Sequence, residues 1–232
     1  MLRFVGRGSA FADEHNCAFF EEDGDLVILD CSMTSFVKLK RMDLSSYKHV
    51  YVLVTHTHGD HISGIGMLVD IIYFIAKIPI TVVAPSEAVG KELLYYLTVI
   101  EACSEDWFEL ICSDALNRPW FDCAIATTHT ENLAGKCFGY SVRVHGNSVI
   151  FTGDTATLEP FEKYLTPGAY LYTEVSAYNS PVHLYCETIH DKIKALVDEG
   201  VKVYLMHMDE EDQILAVMAD TGALPAPLWD VV

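Results

Sequence analysis

Four side chains able to hold a metal stand within six positions, His56, His58, Asp60 and His61, in the stretch THTHGDH that follows the apolar run Val52–Val54. His56 and His58 are two apart, so an extended loop points both the same way and lets them share one ion. Asp60 and His61 fall on a different side, where a helix begins. Neutral imidazoles and carboxylates with no cysteine pair nearby suit Zn²⁺, and also Mn²⁺ or Fe²⁺, better than a thiolate site would. A lone histidine is usually a satisfied structural residue, whereas H-x-H-x-D-H at a strand end is a ligand pattern. The same delivery recurs along the chain: CAIATT runs into His129, SVIFTG into Asp154, AYLYT into Glu174 and VKVYLM into His207. Strand ends that bring polar side chains to one sheet edge build a shared site from residues far apart in sequence. This donor set exceeds what one tetrahedral ion takes and predicts two divalent ions.

To place these residues the chain must alternate strands with helices. LRFV, CAFFEE and LVILD read as strands, the last two joined by the turn Asp23-Gly24-Asp25. HVYVLV is a further strand, residues 62–76 a helix and ITVVA a strand, and Ser86 caps a second helix running to about residue 101. Residues 103–122 are mixed and take no assignment. There follow CAIATT, a hairpin from FGYSVRV to SVIFT across His145-Gly146-Asn147, the strand AYLYT, a helix from about 184 to 199, and VKVYLM. No internal repeat, low-complexity segment or Gly/Ser linker shows, and a hydrophobic tail, ALPAPLWDVV, closes the sequence. Strand-rich halves with interspersed helices predict a single domain over residues 1–232, with two sheets face to face and helices on both outer sides.

With 232 residues, 51% of them hydrophobic, a sizeable core is available. Lys and Arg number 15 against 33 Asp and Glu, and the net charge of −18 repels polyanions and argues against extended nucleic-acid binding. An anionic substrate needs a local cation to receive it. MLRFVGRGSAF has no long apolar stretch with a cleavage site, and MLVDIIYFIAKIPI is broken by Asp70, Lys77 and Pro79, so neither a signal peptide nor a membrane span is expected. Seven cysteines, with Cys103, Cys112 and Cys123 lacking C-x-x-C pairing, fit reduced structural thiols in a cytoplasmic protein.

The chain resembles the metallo-β-lactamase superfamily, whose T-H-x-H-x-D-H signature is met by Thr55, His56, His58, Asp60 and His61. The likeness extends to GRGSAF, to ILDCS at Asp30, to His129, to FTGDT at Asp154 and to LMHM at His207, and so covers nearly the whole chain. It implies an α/β fold, an αββα sandwich of two mixed β-sheets flanked by helices, with a dinuclear centre between the sheets. His56, His58 and His129 would hold the first metal and Asp60, His61 and His207 the second, with Asp154 bridging. Within the superfamily the chain is most similar to the ribonuclease Z-like phosphodiesterases, which place a Glu at a later strand end and a His leading into a helix. Glu174 in YTEVS and His183 in SPVHLYCETIH fill those places. An imidazole held by a carboxylate suits the acid that assists a leaving alkoxide. The chain departs from that branch in two respects. Leu184 and Tyr185 follow His183 where Thr or Ser is common, and the interval from His129 to Asp154 holds one hairpin where tRNA-processing members carry a long arm.

The resemblance thus implies attack by a metal-bridging hydroxide that Asp60 orients, with His183 and Glu174 helping the leaving group. A small anionic substrate is expected, a nucleotide, cyclic nucleotide or short oligonucleotide phosphodiester. The rival readings are an acyl hydrolase (lactonase, thioesterase or β-lactamase-like), a tRNA 3′-processing endonuclease, and a non-enzymatic metal-dependent nucleotide-binding regulator. Tyr95, Tyr96 and Trp107 are read as core, as substrate wall or as the surface of a homodimer. His15 and Asn16 are candidates to line the pocket. His49, His145 and His190 read as strand edge, hairpin turn and helix surface, and Asp209 to Asp212 as a solvated helix start.

Overall fold

The computed structural model describes residues 1–229; residues 230–232, the end of the hydrophobic tail, lie outside the described residues. Two six-stranded sheets take their strands in chain order, one sheet from each half of the chain. In the first, β1 (Arg3–Gly6), β2 (Cys17–Glu22) and β3 (Asp25–Leu29) are antiparallel. β4 (His49–Leu53), β5 (Ile80–Ala84) and β6 (Glu109–Cys112) then run parallel to β3. In the second, β7 (Phe121–Thr127), β8 (Cys137–Val144) and β9 (Asn147–Phe151) are antiparallel. β10 (Tyr170–Glu174), β11 (Lys202–Met206) and β12 (Leu224–Pro225) continue parallel to β9. The second sheet therefore repeats the strand plan of the first. Sequence reading finds no repeat because a strand plan constrains only where apolar runs fall, not which residues fill them.

Period-two alternation explains the layers. In β3 and β4, Leu26, Ile28, Val50 and Val52 face an outer core beneath helices, while Val27, Leu29, Tyr51 and Leu53 face the opposing sheet. In the second sheet Phe151, Tyr172 and Met206 meet them between the sheets, and Ile150, Leu171 and Leu205 face a third core under the helices of that side. The helices are α1 (Met33–Leu39), α2 (Gly59–Ile62), α3 (Ile65–Ile71), α4 (Glu87–Tyr95), α5 (Cys186–Asp198) and α6 (Glu211–Val217). The result is the αββα sandwich expected from the resemblance.

Differences from the sequence reading are local. The helix expected over 62–76 begins at Gly59, pauses at Ser63–Gly64, and ends in a π-helical turn over Ile72–Ala76. Gly64 permits the pause, because a Cβ there would lie 2.2 Å from the Ser32 carbonyl oxygen. By length and mean hydropathy of 1.3 the run Gly59–Ala76 passes for a membrane span, contrary to expectation. It lies on the first sheet, with Ile65, Leu68, Val69 and Ile72 buried. The Ser86 hydroxyl does cap α4, accepting from Val89 N. The unassigned stretch 103–122 yields β6 and the start of β7.

Candidate metal centre

β4 ends at Leu53, and the chain leaves it extended through His56 and His58. His58 keeps extended backbone (φ −65°, ψ 150°) as the cap of α2, which puts Asp60 and His61 in that helix's first turn. From the second sheet the exits of β7, β9 and β11 bring His129, Asp154 and His207 to the same place. Three exits turn through left-handed backbone, at Asp30 (φ 61°), Gly153 (φ 60°) and His207 (φ 51°). Non-glycine residues hold that conformation only where the surroundings enforce it, and such positions gather at functional sites.

The donors form two nests that share Asp154. His56 Nε2 lies 3.0 Å from His58 Nδ1 and 3.8 Å from Asp154 Oδ2, and His129 Nε2 lies 3.7 Å from that oxygen. On the other side His61 Nε2 is 3.4 Å from Asp154 Oδ1 and 3.2 Å from Asp60 Oδ2. His207 Nε2 is 3.4 Å from Asp154 Oδ2 and 3.3 Å from Asp60 Oδ2. Within each nest the ligand atoms all lie within 4.8 Å of one another.

These residues fit divalent metal. The outward nitrogens are engaged: His61 Nδ1 donates to Asp30 Oδ2 (2.8 Å), His129 Nδ1 donates to the Val182 carbonyl (2.8 Å), and His56 Nδ1 lies 3.0 Å from Thr55 Oγ1. Such partners fix each tautomer and leave Nε2 free to bind a cation. The inward atoms His61 Nε2 and Asp154 Oδ1 are buried without a hydrogen-bond partner. An orphaned buried polar atom costs about 1–3 kcal/mol, a penalty that coordination removes. Burial, with the His61 charge next, holds His56 well below the ordinary imidazole range, and burial also lowers His58 and His129. These three rings are therefore neutral and ready to coordinate. At His61 burial opposes charge, but Asp154 and Asp30 outweigh it and lift the ring well above its usual value. Burial likewise disfavours charge on Asp60 and Asp154, and His207 and His61 overcome it, so both stay ionised.

Beside the nests stands a second unit. Glu174, fully buried at the end of β10, accepts from Thr155 N at 2.8 Å and from His183 Nδ1 at 2.9 Å. Burial works against charge on His183, yet the hydrogen bond and charge of Glu174 prevail and push it up to about 9. Its ring centre is 4.8 Å from that of His129 and 5.5 Å from that of His207. His183 thus lines the cavity with Nδ1 held by Glu174, in surroundings that favour its protonated form.

A cavity of about 380 Å³ opens over this cluster, lined by His58, Asp60, His129, Asp154, His183 and His207 together with the loops around Phe11 and Tyr178. The structure thus brings together every ligand and catalytic candidate of the sequence. It does not bring His15 or Asn16: Asn16 is buried with its Nδ2 toward Met206 Sδ, and Ser9, Ala10 and Phe11 line the cavity instead. Tyr95 and Tyr96 lie on the α4 side, away from the cavity. Trp107 and His49 line a separate cavity of about 510 Å³ at the starts of β4 and β5. His49 opens an interior strand rather than an edge one. His145 and His190 lie at the hairpin turn and on α5 as expected.

Two residues gained roles that sequence reasoning did not give them. Asp30, fully buried after β3, accepts from Thr55 N and Thr55 Oγ1, both at 2.8 Å, as well as from His61. Its signals in the sequence were the likeness at ILDCS and a carboxylate closing the apolar run VIL. Asp209 does not simply open a solvated helix: it accepts from Ser176 Oγ and from Ala177 N, tying the exits of β10 and β11 together.

A family model described as "Anti-Pycsar protein Apyc1" matches residues 1–224. A curated relative of that description from Saccharibacillus brassicae is 39% identical over 66 residues, 28% of this chain and 27% of the relative. A ribonuclease Z from Methanococcus maripaludis is 29% identical over 92 residues, 38% of this chain and 30% of that protein. The matched stretches thus span about 30% of the curated relatives' length. Among solved structures, the metallo-β-lactamase fold protein YhfI from Bacillus subtilis superposes with a TM-score of 0.76 at 15% identity, over 99% of this chain and 98% of that one. The fold is that of the metallo-β-lactamases.

Proposed function

The chain belongs to the Anti-Pycsar protein Apyc1 family, and from that membership and the geometry of the site we propose that it is a dinuclear-metal-dependent phosphodiesterase of cyclic nucleotides and related small nucleotide diesters. The observation that carries this reading is the pairing of two donor nests, shared through Asp154, with a His183 that Glu174 holds through Nδ1 one ring away. His56, His58 and His129 would hold one ion and Asp60, His61 and His207 the other, with Asp154 shared between the two sets. Zn²⁺ suits this N/O set best, with Mn²⁺ or Fe²⁺ as substitutes. Bound divalent ions neutralise phosphoryl charge and acidify water.

The chain's own groups do the rest. Asp60 Oδ2, kept ionised between His61 and His207, would orient the attacking water. His183 Nε2 gives its proton to the departing ribose oxygen, and Glu174 fixes the ring through Nδ1 and stabilises its charge. No Lys or Arg lines the cavity among the described residues, so the cations supply its affinity for phosphate. The segment between His129 and Asp154 is a short turn and the hairpin β8–β9. That segment is too short to grasp folded RNA, and the net charge of −18 on the chain as a whole repels it.

The test is a substrate panel with Zn²⁺ or Mn²⁺: cyclic nucleotides, bis-p-nitrophenyl phosphate, lactones and thioesters, with precursor tRNA as competitor. Cyclic nucleotides should be cleaved and tRNA should not compete. His183→Ala should lower kcat by roughly 10²–10⁴ on cyclic nucleotides and far less on p-nitrophenyl esters, whose leaving group departs unaided, with metal content intact. Faster turnover of lactones or thioesters than of any diester replaces this reading with an acyl hydrolase.

A further inference from the structure

Phe11 is 98% exposed, more than any other large apolar side chain among those described, and it lines the candidate active-site cavity. Nothing about its loop is loose. Gly8 N donates to the Glu14 carbonyl and Ala12 N to the Ser9 carbonyl, closing a tight turn with Ala10 and Phe11 at its tip. Gly8 is required there, since a Cβ would lie 2.4 Å from Ala12 Cβ. The stem is tied to the exit of β11 by Ser9 N donating to the Met208 carbonyl and Met208 N to the Arg7 carbonyl. A rigid turn that holds a phenyl ring in water forgoes the burial free energy of that ring, which calls for an occupant.

A second aromatic residue lines the same cavity. Tyr178, 58% exposed, follows β10; its N–H donates to Ser176 Oγ and its hydroxyl donates to Glu210 Oε1 at 3.0 Å, which keeps the ring standing. Three hydroxyls on the cavity wall, Ser9 Oγ, Thr130 Oγ1 and Ser180 Oγ, are buried with no hydrogen-bond partner, and Ser9 as a whole is only 7% exposed. Unpartnered buried hydroxyls beside exposed rings make a surface that is apolar on its faces and polar at its edges. A flat heteroaromatic ring has that character.

We infer that Phe11 and Tyr178 form a stacking subsite for the nucleobase, with the free hydroxyls of Ser9, Thr130 and Ser180 meeting its polar edge and the sugar. Stacking on aromatic side chains recognises the π-face that every base shares, whereas the metal cluster recognises only the phosphodiester. The subsite therefore sets KM for nucleotides and leaves the chemical step alone. This rests on the phosphodiesterase reading above.

The test compares adenosine 3′,5′-cyclic phosphate with methyl riboside 3′,5′-cyclic phosphate, which keeps the reacting ring and lacks the base. In the wild-type protein, loss of the base should raise KM by roughly 5- to 100-fold, the range seen for base–aromatic stacking, with kcat little changed. Phe11→Ala should raise KM for the nucleotide by a similar factor and leave the base-free compound unaffected. Phe11→Trp should restore it, and Tyr178→Ala should behave like Phe11→Ala. Because Phe11 is solvent-exposed, its replacement does not disturb folding. Equal KM values for both compounds in the wild type, or an equal loss on both in Phe11→Ala, overturns the subsite while the phosphodiesterase stands. Failure to cleave either compound overturns both.

Discussion

Asp154 stands between the two donor nests, within 3.8 Å of nitrogens from His56, His129, His61 and His207. Asp154→Ala should therefore lower metal content at both positions together, whereas His129→Ala should deplete only one; elemental analysis of the purified variants reads this directly. His61 adds a signature of its own. Its proton affinity is raised in the metal-free protein by Asp154 and Asp30 against the effect of burial, so a cation bound at Nε2 competes there with a proton. Loading of the Asp60 nest should thus release a proton and tighten as pH rises through the neutral range. The His56 nest, whose imidazoles are already neutral, should respond less. Calorimetric titration of metal in buffers of different ionisation enthalpy measures the proton count. Most of this site is legible in the sequence because ligands to one ion must be His, Asp or Glu at strand ends, which restricts both residue type and position. Tyr178 is not, and Asp30 and Phe11 show only as members of the stretches ILDCS and GRGSAF without a role, since a hydrogen-bond partner or an aromatic wall can come from any loop that happens to lie near.

At the scale of elements, the exits of the strands carry the constraint. Gly153 turns the chain from β9 into Asp154 at φ 60°, and a Cβ there would meet the Phe138 carbonyl oxygen at 2.6 Å. Gly153→Ala should cost about 2–4 kcal/mol, from left-handed backbone and a contact with main chain that cannot yield. Denaturant unfolding should show a lowered midpoint, with reduced metal content in the fraction that remains folded. The elements themselves follow from the sequence where apolar alternation is strong, as in HVYVL and KVYLM, whose inward and outward side chains feed two different cores. They do not follow where tertiary contact decides. The pause at Gly64 answers to the Ser32 carbonyl, a partner more than thirty residues away. β6 is only four residues long and takes its strand form from pairing with β5.

On the scale of the whole molecule, each half of the chain builds one complete sheet, and the cluster is assembled from both: His56, His58, Asp60 and His61 from the first, His129, Asp154 and His207 from the second. The chain carries a net charge of −18, and among the described residues no Lys or Arg lines the cavity. Between the halves runs the exposed stretch Asn117–Pro119, and the C-terminal segment returns to the first sheet through Phe4 N donating to the Pro227 carbonyl and Trp229 N to the Phe4 carbonyl, beside the ties of Arg7 and Ser9 to Met208. A chain laid out in this way can be cut without dividing either sheet. Fragments broken between Asn117 and Arg118 and produced separately should reconstitute when mixed, and because a ligand that binds only the assembled form favours it by mass action, Zn²⁺ should tighten the association and a chelator should reverse it. Association equally strong with chelator present would mean that the apolar face between the sheets suffices alone. With the metal required, hydrolysis in the mixture becomes a coincidence signal, produced only where both fragments and the ion have met.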